Sequence, residues 1–349
     1  MNKQNKIFIN ACYGQKVPYT PLWIMRQAGR YLPEYRAIRK KHTFHEMMHT
    51  PDIMKEVTLQ PIYRYGFDAA IMFSDILVIP EAMGLNFNLI EKVGPVFEDP
   101  LDSIEKIKAI SIANLSHFEH VFNGIKQIRN ELDDSKALIG FSGAPWTIAG
   151  YMVEGQPSKD YRHLRSLIYT HPKAFHHLME SLTESIISYV TEQVKAGVDA
   201  IQIFDTNAGY LSKSIFEAFS FPYLKHIVSA VNNFNVPCIL FIKGGGHWLD
   251  LLKTSGANVL GIDWTVPLHN ARKIVNDEIA LQGNLDPSIL LSPNESIKKE
   301  VNKVLESYGH GYGHIFNLGH GITPDIPLDS VQTLVDTVRN ESPKYKTKK

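Results

Sequence analysis

Short apolar runs alternate with longer stretches of amphipathic pattern along the whole chain. Eight of these runs end in, or lead directly into, a glycine or a polar residue: LWIM at 22–25, AAIMFSD at 69–75, ALIGFSG at 137–143, AIQIFD at 200–205, CILFIKGGG at 238–246, VLGID at 259–263, IALQGN at 279–284 and HIFNLGHG at 314–321. Nearly continuous apolar runs are typical of parallel strands that are covered on both faces. The pattern therefore predicts eight buried strands.

Most of the intervals between these runs predict helices. The stretch at 181–197, for example, ends at Gly197 and places five apolar residues on one stripe: Leu182, Ile186, Ile187, Val190 and Val194. Alternating strands and helices with eight strands predict an α/β fold, a (β/α)8 barrel of the TIM type. An open doubly wound sheet is the alternative. The barrel is favoured because the last run ends at residue 321 and leaves room for one closing helix. We expect a single domain over 1–349, with flexible ends at 1–15 and 341–349.

Composition and charge exclude several classes of partner. The chain has 349 residues, of which 44% are hydrophobic, and its 36 Lys and Arg balance its 36 Asp and Glu. Such a chain has no general basic field, so we expect no nucleic-acid partner. No apolar stretch approaches the roughly 20 residues of a membrane helix, and the N-terminal segment does not predict a signal peptide. Cys12 and Cys238 are the only cysteines, which excludes a disulfide framework and suits a cytoplasmic protein.

Polar residues and glycines gather where the predicted strands end. In a barrel of this kind the active site lies at the carboxyl ends of the strands and on the loops that follow them. The side chains at those positions that can carry chemistry are Arg26, Arg30, Asp75, Thr206, Lys243, Asp263 and His320. The neighbouring glycines allow a ligand to approach the backbone closely. The sequence thus predicts an anion-binding site at this end of the barrel.

Two features of these ends have alternative interpretations. Arg26 and Arg30, four residues apart, would share a helical face and could grip an anion, or they could form an ordinary surface pair compensated by Glu34. Asp75 is the one carboxylate within FSDILVIP. It could cap a helix, or it could be a desolvated anion that faces a cationic or N–H donor ligand.

One motif suggests a metal site. HEMMH at 45–49 fits the H-E-x-x-H pattern of zinc peptidases. Thr50 and Pro51 end this helix at once, and no clear third ligand follows in the sequence. We therefore expect a half-exposed helix here, and no metal ion.

Five longer segments are distinctive: PLWIMRQAGRYLPEYR, IMFSDILVIP, GFSGAPWTIAGYMVEG, LQGNLDP and FNLGHGITPD. Together they closely resemble the uroporphyrinogen decarboxylase family of haem biosynthesis, in order from about residue 20 to about residue 335. The resemblance implies an α/β barrel, a homodimer, and an enzyme without metal or prosthetic group. The implied reaction removes four acetate carboxylates of uroporphyrinogen III as CO2 and leaves the four methyl groups of coproporphyrinogen III.

The resemblance also implies roles for individual residues. It assigns catalysis to Asp75 and Arg26. It assigns substrate binding to Arg26, Gln27, Ala28, Gly29, Arg30, Arg39, Asp75, Tyr151, Thr206 and His320. Thr206 stands where the family commonly has serine, so the hydroxyl is kept and a methyl group is added. The proton donor stays open between Arg26, a bound water and a substrate carboxylate, because arginine is a poor acid.

The chemistry of such a substrate fits these residue types. A ring of four pyrroles with eight carboxylates needs local cations, an acceptor for its central N–H groups, and an apolar floor, for which the sequence offers Met72, Phe73, Ile79 and Trp146. The pyrrole can serve as its own electron sink once a ring carbon is protonated, so no cofactor is expected. Two other functions stay open: a methyltransferase of the corrinoid or cobalamin-independent type on the same barrel, although its His-x-Cys zinc ligands are missing, and a non-catalytic barrel that only holds a tetrapyrrole.

Overall fold

Helices and strands alternate through the computed structural model, which describes residues 6–90 and 93–347. The strands are β1 Ala69–Ile71, β2 Phe87–Ile90, β3 Gly94–Phe97, β4 Ala137–Gly143, β5 Ala200–Asp205, β6 Cys238–Ile242, β7 Val259–Gly261, β8 Ala280–Gln282 and β9 His314–Ile315. The helices are α1 Ile7–Cys12, α2 Pro33–Arg39, α3 Phe44–His49, α4 Pro51–Tyr65, α5 Val78–Ala82, α6 Ile104–Ala109, α7 Glu119–Glu131, α8 Pro145–Glu154, α9 Arg162–Thr170, α10 Pro172–Ala196, α11 Lys213–Phe219, α12 Phe221–Asn232, α13 Leu249–Leu252, α14 Leu268–Val275, α15 Asn294–Tyr308 and α16 Leu328–Glu341.

Seven strands form one parallel sheet in the order β1-β4-β5-β6-β7-β8-β9, and helices connect each strand to the next. The prediction of an α/β fold with parallel strands is therefore confirmed. The strands β2 and β3 form a separate antiparallel hairpin that the hydrophobic pattern does not predict.

The sheet is curled, so that strands that are not neighbours meet across its interior. Gln282 of β8 donates a hydrogen bond to Gln202 of β5 over 3.2 Å, although β6 and β7 lie between them in the sheet. The carboxamide oxygen of Gln282, Oε1, accepts a hydrogen bond from the indole N–H of Trp23 at 2.9 Å. These side chains form a buried chain of hydrogen bonds across the interior, in which Nε2 of Gln202 has no partner among the described residues.

The first predicted strand, at 22–25, is the exception. Only Leu22 forms a bridge, which is parallel and pairs with Phe316 after β9, while the Asp68 amide beside β1 donates to the Leu22 carbonyl at 3.0 Å. The ladder stops there because side chains take the next amides. The amide of Ile24 donates to Gln27 Oε1 and that of Met25 to Asn317 Oδ1. The segment thus lies between the two edges of the sheet, and the prediction of a regular strand there is wrong.

Both ends of the described chain pack against the fold, where the sequence predicted flexible ends. Phe8 and Cys12 of α1 are buried among side chains at the amino ends of the strands. Near the other end, the hydroxyl of Ser342 accepts a hydrogen bond from the Thr20 amide at 3.0 Å. Residues 1–5 and 348–349 lie outside the described residues. None of the helices described here has the length and apolar composition needed to cross a membrane.

Candidate functional site

The segment that carries Arg26 and Arg30 is an irregular turn, because α2 begins only at Pro33. The prediction that Arg26 and Arg30 share one face of a helix is therefore wrong. Arg26 has a φ of 64°, a left-handed conformation that costs a residue other than glycine about 1 kcal/mol or more. Gly29 belongs to the same turn, and a Cβ at that position would lie 2.9 Å from the Arg26 carbonyl oxygen.

Gln27 holds this turn from inside. It is fully buried, and its side chain donates to the Ala69 carbonyl of β1 at 3.1 Å and accepts from the Ile24 amide at 3.3 Å. The structure thus places the Gln27 side chain in the interior, away from the open end of the sheet. Ala28 and Gly29 are half-buried and lie nearer the surface.

The three arginines assigned to the substrate are exposed and form no ion pair with any residue of 6–90 or 93–347. Glu34, the expected compensating charge, binds Arg64 instead, through a two-point contact of 2.7 and 2.9 Å. Arg39, at the end of α2, donates to the His42 carbonyl at 2.8 Å. The interpretation of Arg26 and Arg30 as a compensated surface pair therefore does not hold.

Asp75 lies just beyond β1 and is half-buried. Its Oδ1 accepts a hydrogen bond from the Leu77 amide at 2.9 Å, which is a local turn contact, since α5 begins later, at Val78. Burial raises the pKa of the Asp75 carboxyl, and the backbone amides and the charge of Arg26 only partly oppose this rise. A carboxylate in this environment is stabilised by any cation or N–H donor that reaches it.

Four of the predicted residues share one electrostatic environment. Burial raises the pKa of the Tyr151 hydroxyl, the charge of Asp75 raises it further, and Arg26 lowers it. Burial lowers the pKa of His320 to about 4, and the positive charges of Arg26 and Lys243 lower it too. The charge of Arg26 thus acts on the pKa of Asp75, of Tyr151 and of His320.

The first and last turns of the site also touch directly through Gly321. A Cβ at position 321 would lie 2.8 Å from Cγ and 2.9 Å from Nε of Arg26, so a larger residue there would require the Arg26 side chain to shift. The Ile322 amide donates to the Met25 carbonyl at 3.0 Å and keeps the two segments together. Sequence reasoning missed Gly321 and Asn317 as site residues, although both belong to the segment FNLGHGITPD.

Thr206 follows β5 and is half-buried at the same end of the sheet. The residue before it, Asp205, is fully buried, and burial raises the pKa of its carboxyl to about 7. The Thr147 hydroxyl donates to Asp205 at 2.6 Å and accepts from the Asn207 amide at 3.1 Å. Asp205 thereby fixes the loop that carries Thr206, a role that the sequence did not indicate.

Asp263 organises the ends of β6 and β7. It is buried, accepts from the amides of Gly244 and Thr265 at 2.5 and 2.9 Å, and thus holds the loop after Lys243. His320 lies nearby, with its ring centre 6.5 Å from that of Trp264.

The residues expected to form an apolar floor are almost wholly buried: Met72 2%, Phe73 8%, Ile79 0% and Trp146 0% exposed. They belong to the hydrophobic core beneath the site. Because these side chains offer little surface to a ligand, they shape the base of the site and exclude water from it instead of contacting the ligand broadly.

The described residues include one group of side chains that could jointly ligate a metal ion, at His45, His49 and Glu81. Beyond the effect of burial, the charge of Glu81 also raises the pKa of Asp75.

Comparison with known proteins gives one consistent family. The family described as uroporphyrinogen decarboxylase (URO-D) matches residues 3–341. The uroporphyrinogen decarboxylase of Legionella pneumophila (strain Paris) is 48% identical over 343 residues, 97% of each chain. That of Hydrogenovibrio crunogenus is 44% identical over 348 residues, 98% of each chain.

Two solved structures have a similar fold. A methyltransferase from Methanosarcina mazei gives a TM-score of 0.81 at 22% identity, over 96% of this chain and 97% of the other. A B12-independent methionine synthase from Shewanella gives 0.57 at 13% identity, over 93% and 94%. At these identities the likeness concerns the fold alone. The match over nearly the full length, together with the identity to the curated relatives, shows that the chain belongs to the uroporphyrinogen decarboxylase family.

Proposed function

We propose that this protein is an enzyme that removes the carboxyl groups of the four acetate side chains of uroporphyrinogen III as CO2, leaving coproporphyrinogen III. Curated relatives of that name are 44% and 48% identical over nearly their whole length. The observation that carries the proposal is a half-buried carboxylate, Asp75, whose pKa is raised by burial and lowered by the charge of Arg26, an exposed cation that pairs with no carboxylate of the described residues. One tetrapyrrole with central N–H groups and peripheral carboxylates could meet both.

Binding of the carboxylates is assigned to the arginines and to the turn between them. Arg26, Arg30 and Arg39 offer guanidinium groups that no described carboxylate occupies, and a guanidinium binds a carboxylate at two points. Within the described chain the amides of Ala28 and Gly29 donate to no acceptor, so they are free to meet an anion. Gln27 supports this turn from the interior, and its proposed contribution to binding is to position its neighbours.

Three further groups complete the proposed binding site. The hydroxyls of Tyr151 and Thr206 are hydrogen-bond partners for substrate carboxylates. His320, with its pKa lowered to about 4, is a neutral imidazole at neutral pH and contributes a hydrogen bond.

Catalysis is assigned to Asp75 and Arg26. Loss of CO2 leaves an electron pair on the former acetate carbon, and a pyrrole that has been protonated at a ring carbon is a cation that accepts this pair. A proton then adds to the exocyclic carbon to give the methyl group and the ring carbon loses its proton, so that one proton is taken up for each CO2 released. The Asp75 carboxylate, beside the pyrrole N–H groups, stabilises that cation. A preorganised charge in a dry site contributes several kcal/mol to such a step. Arg26 holds the reacting carboxylate and is the candidate proton donor, with a bound water and a substrate carboxylate as the alternatives.

The decisive experiment is anaerobic incubation of the purified protein with uroporphyrinogen III, followed by oxidation and chromatography of the porphyrins. We expect species with seven, six, five and finally four carboxylates. Recovery of the eight-carboxylate compound alone, with the compound bound to the protein, would instead favour a non-catalytic binding protein.

The methyltransferase alternative is not favoured. A zinc site of that type needs cysteine ligands, and both cysteines of this chain are buried. Cys238 begins β6, so it lies at the amino end of that strand, opposite to the end that carries Lys243.

We also propose that the seven strands and the Leu22 segment form a closed eight-membered barrel in a single domain. The hydrogen bonds of this segment to Phe316 on one side and from Asp68 on the other support closure. Following the family resemblance, a homodimer in the cytoplasm is proposed. Sedimentation equilibrium tests the dimer, and cell fractionation tests the location.

A further inference from the structure

The HEMMH segment forms α3, and its glutamate is used within the helix. Glu46 accepts a hydrogen bond from the Thr43 amide at 2.7 Å, and the Glu46 amide donates back to the Thr43 hydroxyl at 3.1 Å. This capping box fixes the start of the helix. Because Glu46 is engaged there, it cannot act as the general base of a zinc peptidase.

The two histidines of the segment meet a third ligand that the sequence did not reveal. His45 and His49 are four residues apart and lie on one face of α3, where Glu81 of α5 reaches them. Glu81 Oε1 lies 2.9 Å from His45 Nε2, and Oε2 lies 3.3 Å from His49 Nε2. Three ligand atoms of the kinds that bind transition metals are thus within 4.8 Å of one another.

The orientation of His49 is fixed in the way that metal ligands require. Its Nδ1 lies 2.9 Å from the His45 carbonyl oxygen, which can only accept, so Nδ1 carries a hydrogen. Nε2 is the nitrogen that faces Glu81. In the metal-free protein it donates to that carboxylate, and a metal ion would take the place of that proton. A ligating histidine commonly donates its other N–H to a carbonyl in this manner. The ring of His120, stacked on that of His49 with centres 4.2 Å apart, supports this orientation.

We propose that His45, His49 and Glu81 bind one divalent transition-metal ion of the Zn²⁺ class. Zinc–nitrogen and zinc–oxygen distances of about 2.0–2.2 Å in a tetrahedron place neighbouring ligand atoms roughly 3.3 Å apart. Each histidine already lies 2.9 or 3.3 Å from one oxygen of Glu81, but the two contacts use different oxygens. The His45 and His49 rings are stacked with centres 3.9 Å apart, so the exposed His45 ring must turn for both nitrogens to reach one ion. Two imidazoles favour zinc, cobalt or nickel over magnesium or calcium.

The group would be open to solvent, and it lies near Asp75, whose pKa is raised by burial and by the charge of Glu81. The His45 side chain is 60% exposed, so an ion can enter from solvent and keep a water ligand. None of the residues assigned to the tetrapyrrole belongs to the group. The chemistry proposed for the tetrapyrrole uses none of these three side chains directly.

The test is direct metal binding to the full chain, freed of metals by a chelator that is then removed. Titration calorimetry with Zn²⁺ should give one strong site per chain, and Co²⁺ should give the visible absorption of a site with imidazole ligands. Loss of a group that hydrogen-bonds to a metal ligand weakens metal binding roughly 10- to 100-fold. His45→Gln and Glu81→Gln remove a ligand itself, so each should weaken Zn²⁺ binding by more than this.

The matched control is His42→Gln, a histidine just before α3 and outside the group. It should bind Zn²⁺ as the unaltered chain does. Because His45 is exposed, His45→Gln is expected to fold normally, which the urea unfolding curve in chelator checks. The proposal is overturned if His45→Gln and Glu81→Gln bind Zn²⁺ with unchanged affinity, or if His42→Gln loses as much affinity as they do. These measurements use no substrate, so their outcome is independent of whether uroporphyrinogen is decarboxylated.

Discussion

The side chain of Arg26 lies directly across Gly321, so closely that a Cβ at position 321 would be 2.8 Å from the Arg26 Cγ. The two residues are nearly three hundred positions apart, in the first and last turns at the open end of the sheet. The absence of a side chain at position 321 leaves room for this placement of Arg26, whose charge acts on the pKa of Asp75 and of His320. The shape of the site thus depends on the absence of one side chain as well as on the presence of another.

Gly321→Ala is expected to displace Arg26 and to lower kcat/KM for uroporphyrinogen. Crowding of this kind costs about 1–3 kcal/mol of stability where the neighbour cannot move freely. The check is a double-mutant cycle with Arg26→Ala, measured by urea unfolding and by turnover. If the effect acts through Arg26, Gly321→Ala should change neither quantity in the Arg26→Ala background. Equal effects in both backgrounds would contradict the contact.

Arg26→Gly and Arg26→Ala should differ in stability although both lose the guanidinium. Position 26 has a φ of 64°, which glycine adopts freely and alanine adopts at a cost. We expect Arg26→Gly to have the higher free energy of unfolding, by about 1 kcal/mol. Urea unfolding at one pH measures the difference. Both variants should show weakened substrate binding, and an Arg26→Ala variant of unchanged Michaelis constant and rate would contradict the role of this arginine.

Asp75→Asn should lower enzyme activity without lowering the free energy of unfolding. Asparagine keeps the acceptor for the Leu77 amide but removes a charge whose burial raises the pKa of Asp75. Because the folded state disfavours the ionised form, Asp75→Asn should be at least as stable as the unaltered enzyme at pH 7.5. This advantage should shrink as the pH falls to the pKa of an unfolded carboxyl, about 3.9.

Turnover of Asp75→Asn should fall at least about a hundredfold, as for the loss of a preorganised group at a reacting centre. Asp336→Asn, at an exposed position on α16, is the matched control and should turn over normally. Near-normal formation of coproporphyrinogen by Asp75→Asn would exclude the proposed role of this carboxylate.

The hydrophobic pattern predicted the exact bounds of some strands and wrongly predicted another, because it does not show where backbone hydrogen bonds go. β4 and β5 have the predicted bounds, because each is a continuous buried run paired along its whole length. The run at 22–25 is as apolar, yet its amides are taken by side chains of Gln27 and Asn317. An apolar pattern reports that a segment is buried, but it does not report which groups receive its hydrogen bonds.

The sequence pattern is limited in the same way for the two proposed sites, the tetrapyrrole site and the metal site. Asp75, Arg26, Tyr151 and His320 could be selected from the sequence, and in the structure the charge of Arg26 acts on the pKa of the other three. The third ligand beside His45 and His49 could not be found, because Glu81 reaches them only through the packing of α5 near α3. Contacts between distant segments need the fold, and sequence spacing does not supply them.

Asp205 should give the enzyme a distinctive dependence of stability on pH. Its folded-state pKa of about 7 lies above the ordinary value for an aspartate. The stability that the protonated carboxyl contributes is fully present below the unfolded pKa near 3.9 and is lost as the pH rises through about 7. Over roughly three pH units this amounts to about 4 kcal/mol. Asp205→Asn should lack this loss, so the difference in unfolding free energy between the two proteins should change between pH 5 and pH 8. If the unfolding free energies of the two proteins changed with pH in the same way, the raised pKa of Asp205 would be contradicted.

His320 should remain neutral through the pH range in which the enzyme is assayed. Burial and the charges of Arg26 and Lys243 lower its pKa to about 4, and Asp263 only partly opposes them. NMR titration, with the resonance assigned by His320→Asn, should therefore show no protonation of this imidazole between pH 5.5 and 8 in the free enzyme. In Lys243→Ala the pKa should rise, because one repelling charge is gone, while burial still keeps it below the ordinary value of about 6.5. A carboxylate-bearing ligand bound beside His320 should raise it further. A free-enzyme pKa near 6.5 that does not respond to either change would show that His320 lies outside this electrostatic environment.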